Sequence, residues 1–131
     1  MTKKYITPAG KTKLLQLGFT DASTPFKYMA LGNGNAAISE NEEDFKEITG
    51  SNYSRVIVNA TEDVNSQQIS LSGTFAGNNY NPSDGGRITE IALKNDSRVG
   101  TVNDTFAIIE VPPIEKNSNI SLKYTVVVRL L

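Results

Sequence analysis

Apolar and polar residues alternate over several stretches of the chain with the period of two that marks a strand covered on one face. Between Gly85 and Asn95 the alternation sets Thr89, Ile91 and Leu93 on one face, the expected core face, and Ile88, Glu90, Ala92 and Lys94 on the other. Gly85-Gly86 ahead of it and Asn95-Asp96-Ser97 behind it are turn residues, so this stretch reads as a bounded, central strand. Tyr53 to Ala60 alternates in the same way, with Val56, Val58 and Ala60 opposite Tyr53, Arg55, Ile57 and Asn59. Gln67 to Phe75 repeats the pattern through Ile69, Leu71, Gly73 and Phe75, and the two are expected to form an antiparallel pair joined near Asp63 to Ser66.

Phe26 to Leu31 is a further strand, ending in Gly32-Asn33-Gly34-Asn35, a cluster that tolerates positive φ and where a tight turn or bulge is expected. Thr105 to Val111 is apolar on both faces and should be covered on both sides, with Pro112-Pro113 ending it because proline gives nothing to a ladder. Ile120 to Leu131 is the longest alternating run, expected to lie within a sheet because the sequence closes inside the pattern. Two helices interrupt the strands. Thr7-Pro8 has the form of a cap and first helical residue, followed by Leu14, Leu15 and Leu17 and a stop at Gly18. Ser39 with Glu42 has the form of a capping box, opening a short acidic helix that Ile38, Phe45 and Ile48 would anchor and Gly50 would end. The expectation is one domain over residues 1–131, a mainly antiparallel β-sandwich with one or two short helices.

Composition narrows the chemistry more than it names it. The chain has no histidine, which rules out Ser-His-Asp and Cys-His nucleophile systems and histidine-ligated metals. It has no cysteine either, so there is no disulfide framework and no thiolate site. There is no Ser-x-x-Lys, and no carboxylate pair has a spacing that argues for acid–base work, so an enzyme is not expected. Thirteen basic residues against 14 acidic ones, scattered along the chain, give no counterion-releasing face for nucleic acid. No apolar run exceeds four residues, and Val126 to Val128 near the end is likewise far too short for a bilayer span, while the Met-Thr-Lys-Lys start lacks a signal-peptide core, so synthesis in a cytoplasm and no membrane partner are expected. The acidic run Glu40 to Glu47 reads as a solvated helix face, with a metal site as the rival reading that its fanned-out carboxylates disfavour. No cofactor is expected.

Two further features invite a specific role. Glu90, between Ile88 and Ala92, is either solvated on a half-exposed face or paired with Arg55, within one chain or across two, because an unpaired carboxylate among apolar neighbours is costly. Ala76 to Gly86 is polar and glycine-rich and reads as an exposed loop with Tyr80 at its tip, where Asn78, Asn79, Asn81 and Asp84 could join Tyr80 in recognition.

The features also occur in a telling order: Thr7-Pro8-Ala9-Gly10, Tyr28-Met29-Ala30-Leu31-Gly32-Asn33-Gly34, an acidic segment, Tyr53-Ser54-Arg55 opening a strand, and Gly86-Arg87-Ile88-Thr89-Glu90-Ile91-Ala92-Leu93. That order resembles the N-terminal domain of bacteriophage tail-collar and tail-fibre proteins. The resemblance implies a β-rich domain that attaches fibres to a baseplate or tail, usually as a trimer, and partners that are other virion proteins. Fibre proteins of that kind continue into a shaft and tip, whereas this sequence closes at Leu131, so the expectation is a small non-enzymatic virion component of tail, baseplate or collar, assembled in the host cytoplasm. A capsid decoration or head-fibre protein is one alternative, and a carbohydrate- or receptor-binding module acting through the Tyr80 loop is another.

Overall fold

The computed structural model describes residues 4–7, 10, 26–63, 68–80, 82 and 86–129. Two antiparallel sheets carry the chain. The larger has the order β1 (Lys4–Ile6), β7 (Thr105–Glu115), β6 (Arg87–Lys94), β2 (Tyr28–Gly32) and β3 (Val56–Ile57). The smaller has the order β4 (Asn59–Asp63), β5 (Gln68–Phe75) and β8 (Leu122–Arg129). The expected mainly β, two-sheet architecture is therefore what the chain adopts. Apolar residues of both sheets meet in one core, with Met29, Leu31, Ile91, Leu93 and Ile109 from the larger and Leu71, Phe75 and Val126 from the smaller. Gly73 supplies no side chain there, and an added Cβ would lie 2.8 Å from the Met29 sulfur.

The outer face of the larger sheet carries a second, thinner layer. The short helix α1 (Ala36–Ser39) lays Ala36 and Ala37 over Ala30, Ala92 and Ile108, with Tyr5 and Phe45 packed at its margins. Small residues on both sides let helix and sheet approach closely. β6 is consequently buried on both faces, where the alternation suggested one core face and one half-exposed face.

Local irregularities move several residues from their expected places. The β6–β7 register slips between Ile88 and Glu90, because Ile88 pairs with Ile114 and Glu90 with Glu110. Thr89 therefore faces the three residues Val111, Pro112 and Pro113 in a bulge. Ile88 swings into the core, and Thr89 leaves it to donate from Oγ1 to the Gly34 carbonyl at 2.8 Å. The prolines do not end β7, which runs on to Glu115, because they occupy the bulge, where no regular ladder bond is required of them. The Tyr53–Ala60 stretch is not one strand. It crosses from the larger sheet to the smaller at Val58, whose amide donates to the Lys27 carbonyl at 2.8 Å, leaving Ala60 exposed and Tyr53 and Arg55 buried.

The short acidic helix does not form as the sequence suggests. The capping box at Ser39 does not form: α1 ends at Ser39, and a single 3-10 turn, Glu42–Asp44, follows with Asn41 accepting from the Glu43 amide at 3.1 Å. Ile38 stands 59% exposed and does not join Phe45 and Ile48. Gly32 and Gly34 have no positive φ; they are small because a Cβ would strike the Phe45 ring and the Asp44 carbonyl, respectively. The longest strand is β7, with 11 residues; β8 is part of the smaller sheet, as expected, and pairs only with β5 among the described residues, which places it at an edge. Thr7 does accept at Oγ1 from the Gly10 amide at 2.9 Å, while its own hydroxyl donates to the Thr105 carbonyl. The leucine-bearing helix expected from Pro8 to Gly18 lies, Gly10 apart, outside the described residues.

Candidate functional site

Three places concentrate polar side chains. The first is a closed ion cluster at the hairpin between β6 and β7. Arg55 donates from Nε and Nη2 to the two carboxylate oxygens of Glu47, at 2.9 and 2.7 Å, the bidentate fork that a guanidinium fits best. Its Nη1 reaches Asp104 Oδ2 at 3.0 Å and the Asp96 carbonyl at 2.8 Å. Lys94 Nζ donates to the other oxygen of Asp104 at 3.1 Å. Glu47 also accepts from the Tyr53 hydroxyl at 2.7 Å and the Gly100 amide at 2.8 Å. All four charged side chains are more than nine-tenths buried, and two cations face two carboxylates. Burial and then Glu47 hold the Tyr53 hydroxyl well above its ordinary range, whereas for Arg55 the pull of burial is outweighed by Glu47 and Asp104, which raise it. Every strong donor and acceptor here is spent on pinning the hairpin to the segment around Glu47, so the cluster is structural.

The second place is the loop after β5. Lys116 is 1% exposed and donates from Nζ to the carbonyls of Ala76 and Gly77 at 2.5 and 3.1 Å, with the Tyr80 ring centroid 5.3 Å away. Burial lowers its ammonium below the ordinary lysine range. Tyr80 is thus half-buried against a lysine and does not stand free at a tip. Asn79 is spent as well: it accepts from the Ser54 amide at 2.9 Å and donates to the Ser54 carbonyl at 3.1 Å. Asn78 is exposed, and Asn81 and Asp84 lie outside the described residues. Alternation does carry a signal for Lys116, because it shares a face with Ile114, which packs on the core.

The third place is a cleft of about 420 Å³ between α1 and the β6–β7 bulge. Glu90 forms its floor at 1% exposure, accepting at Oε2 from the Ala37 amide at 3.3 Å. Its Oε1 has no hydrogen-bond partner. Directly across the ladder stands Glu110, half-buried, and two residues paired in register point to the same side of a sheet. Burial raises the Glu90 carboxyl above the ordinary glutamate range; the Ala37 and Ala36 amides oppose this, and the like charges of Asp44 and Glu110 add to it. Ile38, Pro112 and Pro113 make apolar walls open to solvent.

The structure does not bring Arg55 and Glu90 together. Arg55 goes to Glu47 and Asp104, and Glu90 goes under α1. Among the described residues no group of carboxylates converges as a metal site would require, and no helix is long and apolar enough to cross a membrane. Compared with known proteins, the chain matches no family model, no curated protein and no solved structure.

Proposed function

We propose that this chain is a non-enzymatic structural component of a bacteriophage or phage-like particle, a tail, baseplate or collar protein that works by holding neighbouring proteins and copies of itself. The observation that carries the reading is the open flank of the smaller sheet. β8 presents eight residues of strand with one neighbour, β5, among the described residues. An edge of that length is a template for another chain's strand unless something covers it. The outer face beside it is made of Asn59, Thr61, Ser70, Ser72, Thr74, Lys123, Thr125 and Val127, paired row by row across the three strands. Short hydroxyl side chains make a flat surface suited to lie against another sheet, and Ser72 and Thr125 already bond across it at 2.9 Å. The order of motifs that resembles tail-collar and tail-fibre domains supports the same reading and favours a trimer.

Its test is composition. Particles purified from the producing host and analysed by peptide mass spectrometry are expected to contain this chain in fixed proportion to the other virion proteins. Particles free of it, with the chain recovered only in the soluble fraction, would overturn the reading.

A further inference from the structure

Among the described residues the buried carboxylates Glu47 and Asp104 meet cations and the buried ammonium of Lys116 meets two carbonyls, whereas Glu90, 1% exposed, meets no cation. Glu90 and Glu110 are direct partners on neighbouring strands, an arrangement that destabilises a sheet when both are ionised. The strand on the other side of β6 offers no compensation, since the residue opposite Glu90 there is Gly32. Oε2 is held by the Ala37 amide, and Oε1, fully withdrawn from water, is left without a donor. Such a group costs the folded state its desolvation and gets nothing in return. Around it the bulge and α1 enclose the cleft of about 420 Å³, with Glu110, Pro112 and Pro113 along the β7 side and Ile38 on the helix side.

We propose that this cleft is a docking site for a lysine side chain of a neighbouring protein, with the ammonium between Glu90 Oε1 and Glu110 and the aliphatic stem along Ile38, Pro112 and Pro113. The occupant's being a protein rests on the assembly role proposed above; the cation site itself stands on the cleft. An ammonium fits better than a guanidinium because a planar fork seeks two oxygens of one carboxylate, and only one oxygen of Glu90 lacks a donor. A stem of methylenes is what exposed proline and isoleucine walls accommodate. A second copy seated face to face is disfavoured, because a twofold contact would set Glu110 and the acidic segment Glu40–Asp44 against their own like charges.

The test uses the isolated protein and Nα-acetyl-lysine methylamide as probe, with the uncharged norleucine analogue and the arginine analogue as controls. Backbone amide shifts of Ala37 and the side-chain carboxyl shift of Glu90 are followed by NMR. Saturable shifts with the lysine probe alone are expected, weakened at least about tenfold in Glu90→Gln and less in Glu110→Gln. Glutamine keeps the acceptor for the Ala37 amide, and Glu110 is half-buried at the rim, so at least one variant should retain the fold. No shift, equal shifts with norleucine, tighter binding of the arginine analogue, or binding unchanged in both variants would each overturn the proposal. Loss of wild-type self-association when the probe is added would overturn the choice of a different protein as partner. Because the readout needs no particle, a chain that binds the probe but is missing from particles would contradict the assembly role and leave the cation site standing.

Discussion

Asp104 and Glu90 are both carboxylates withdrawn from water, 6% and 1% exposed, and the protein treats them in opposite ways. Asp104 meets the ammonium of Lys94 and the guanidinium of Arg55, and the same guanidinium closes on Glu47. Glu90 meets no cation, only backbone amides at the start of α1, and faces Glu110. The first arrangement is complete and has no capacity left for a ligand. The second is incomplete, because one buried oxygen of Glu90 has no donor. Burial of charge is therefore a poor guide to a site by itself; what separates the two regions is whether the chain supplies the counter-charge.

Breaking the balanced cluster should have the largest effect. Arg55→Met leaves Glu47 buried without its cation and Asp104 with Lys94 alone, and a loss of about 3–5 kcal/mol in denaturant unfolding is expected, the usual cost of orphaning a buried charge. Lys94→Met removes one cation while Arg55 still holds Asp104, so about 1–3 kcal/mol is expected from the same measurement.

In the unbalanced region the direction is reversed. A carboxyl whose folded pKa lies above its unfolded value of about 4.3 binds its proton more tightly when folded. The stability it contributes is present below that unfolded value and is lost as pH rises through the raised one. Glu90→Gln removes the loss, so the variant should gain on the wild type with rising pH across this window and be no less stable at neutral pH, as followed by melting curves at stepped pH. A variant that loses ground as pH rises would mean that Glu90 is already compensated.

The smallest effect belongs to the solvent-exposed pair of Arg98 with Asp96. Its hydrogen bonds hold the Asp96 carboxyl down to about 2, yet solvent screens the pair, and Arg98→Ala should leave the melting temperature unchanged within error.

How far such features can be read from the sequence depends on whether they are local. The alternation at Gln67–Phe75 and Ile120–Val128 predicts the inner faces of β5 and β8 correctly, because a period of two needs only neighbouring residues. It fails at Thr89, where Pro112-Pro113 on another strand forces the slip that turns Ile88 inward. Prolines end a regular ladder, but a bulge asks no ladder bond of them, so β7 runs on to Glu115. The partner of Arg55 was equally out of reach. Arg55 and Glu90 share apolar neighbours in sequence, but the chain leaves the larger sheet at Val58, and Glu47, eight residues earlier, lies beside Arg55 instead. The unpaired state of Glu90 depends on three segments at once, α1, β6 and β7, and no single stretch encodes it.

The central claim is that this fold works by holding other chains, and the open flank along β8 is where that claim is most exposed to test. Light scattering on the purified protein across a range of concentrations, beside Val127→Lys, measures it directly. Val127 is 43% exposed on the outer face of that strand, so the substitution should spare the fold. The account predicts a mass close to three times 14.2 kDa for the wild type, falling toward that of one chain in the variant. A wild-type mass of one chain at every concentration would contradict it.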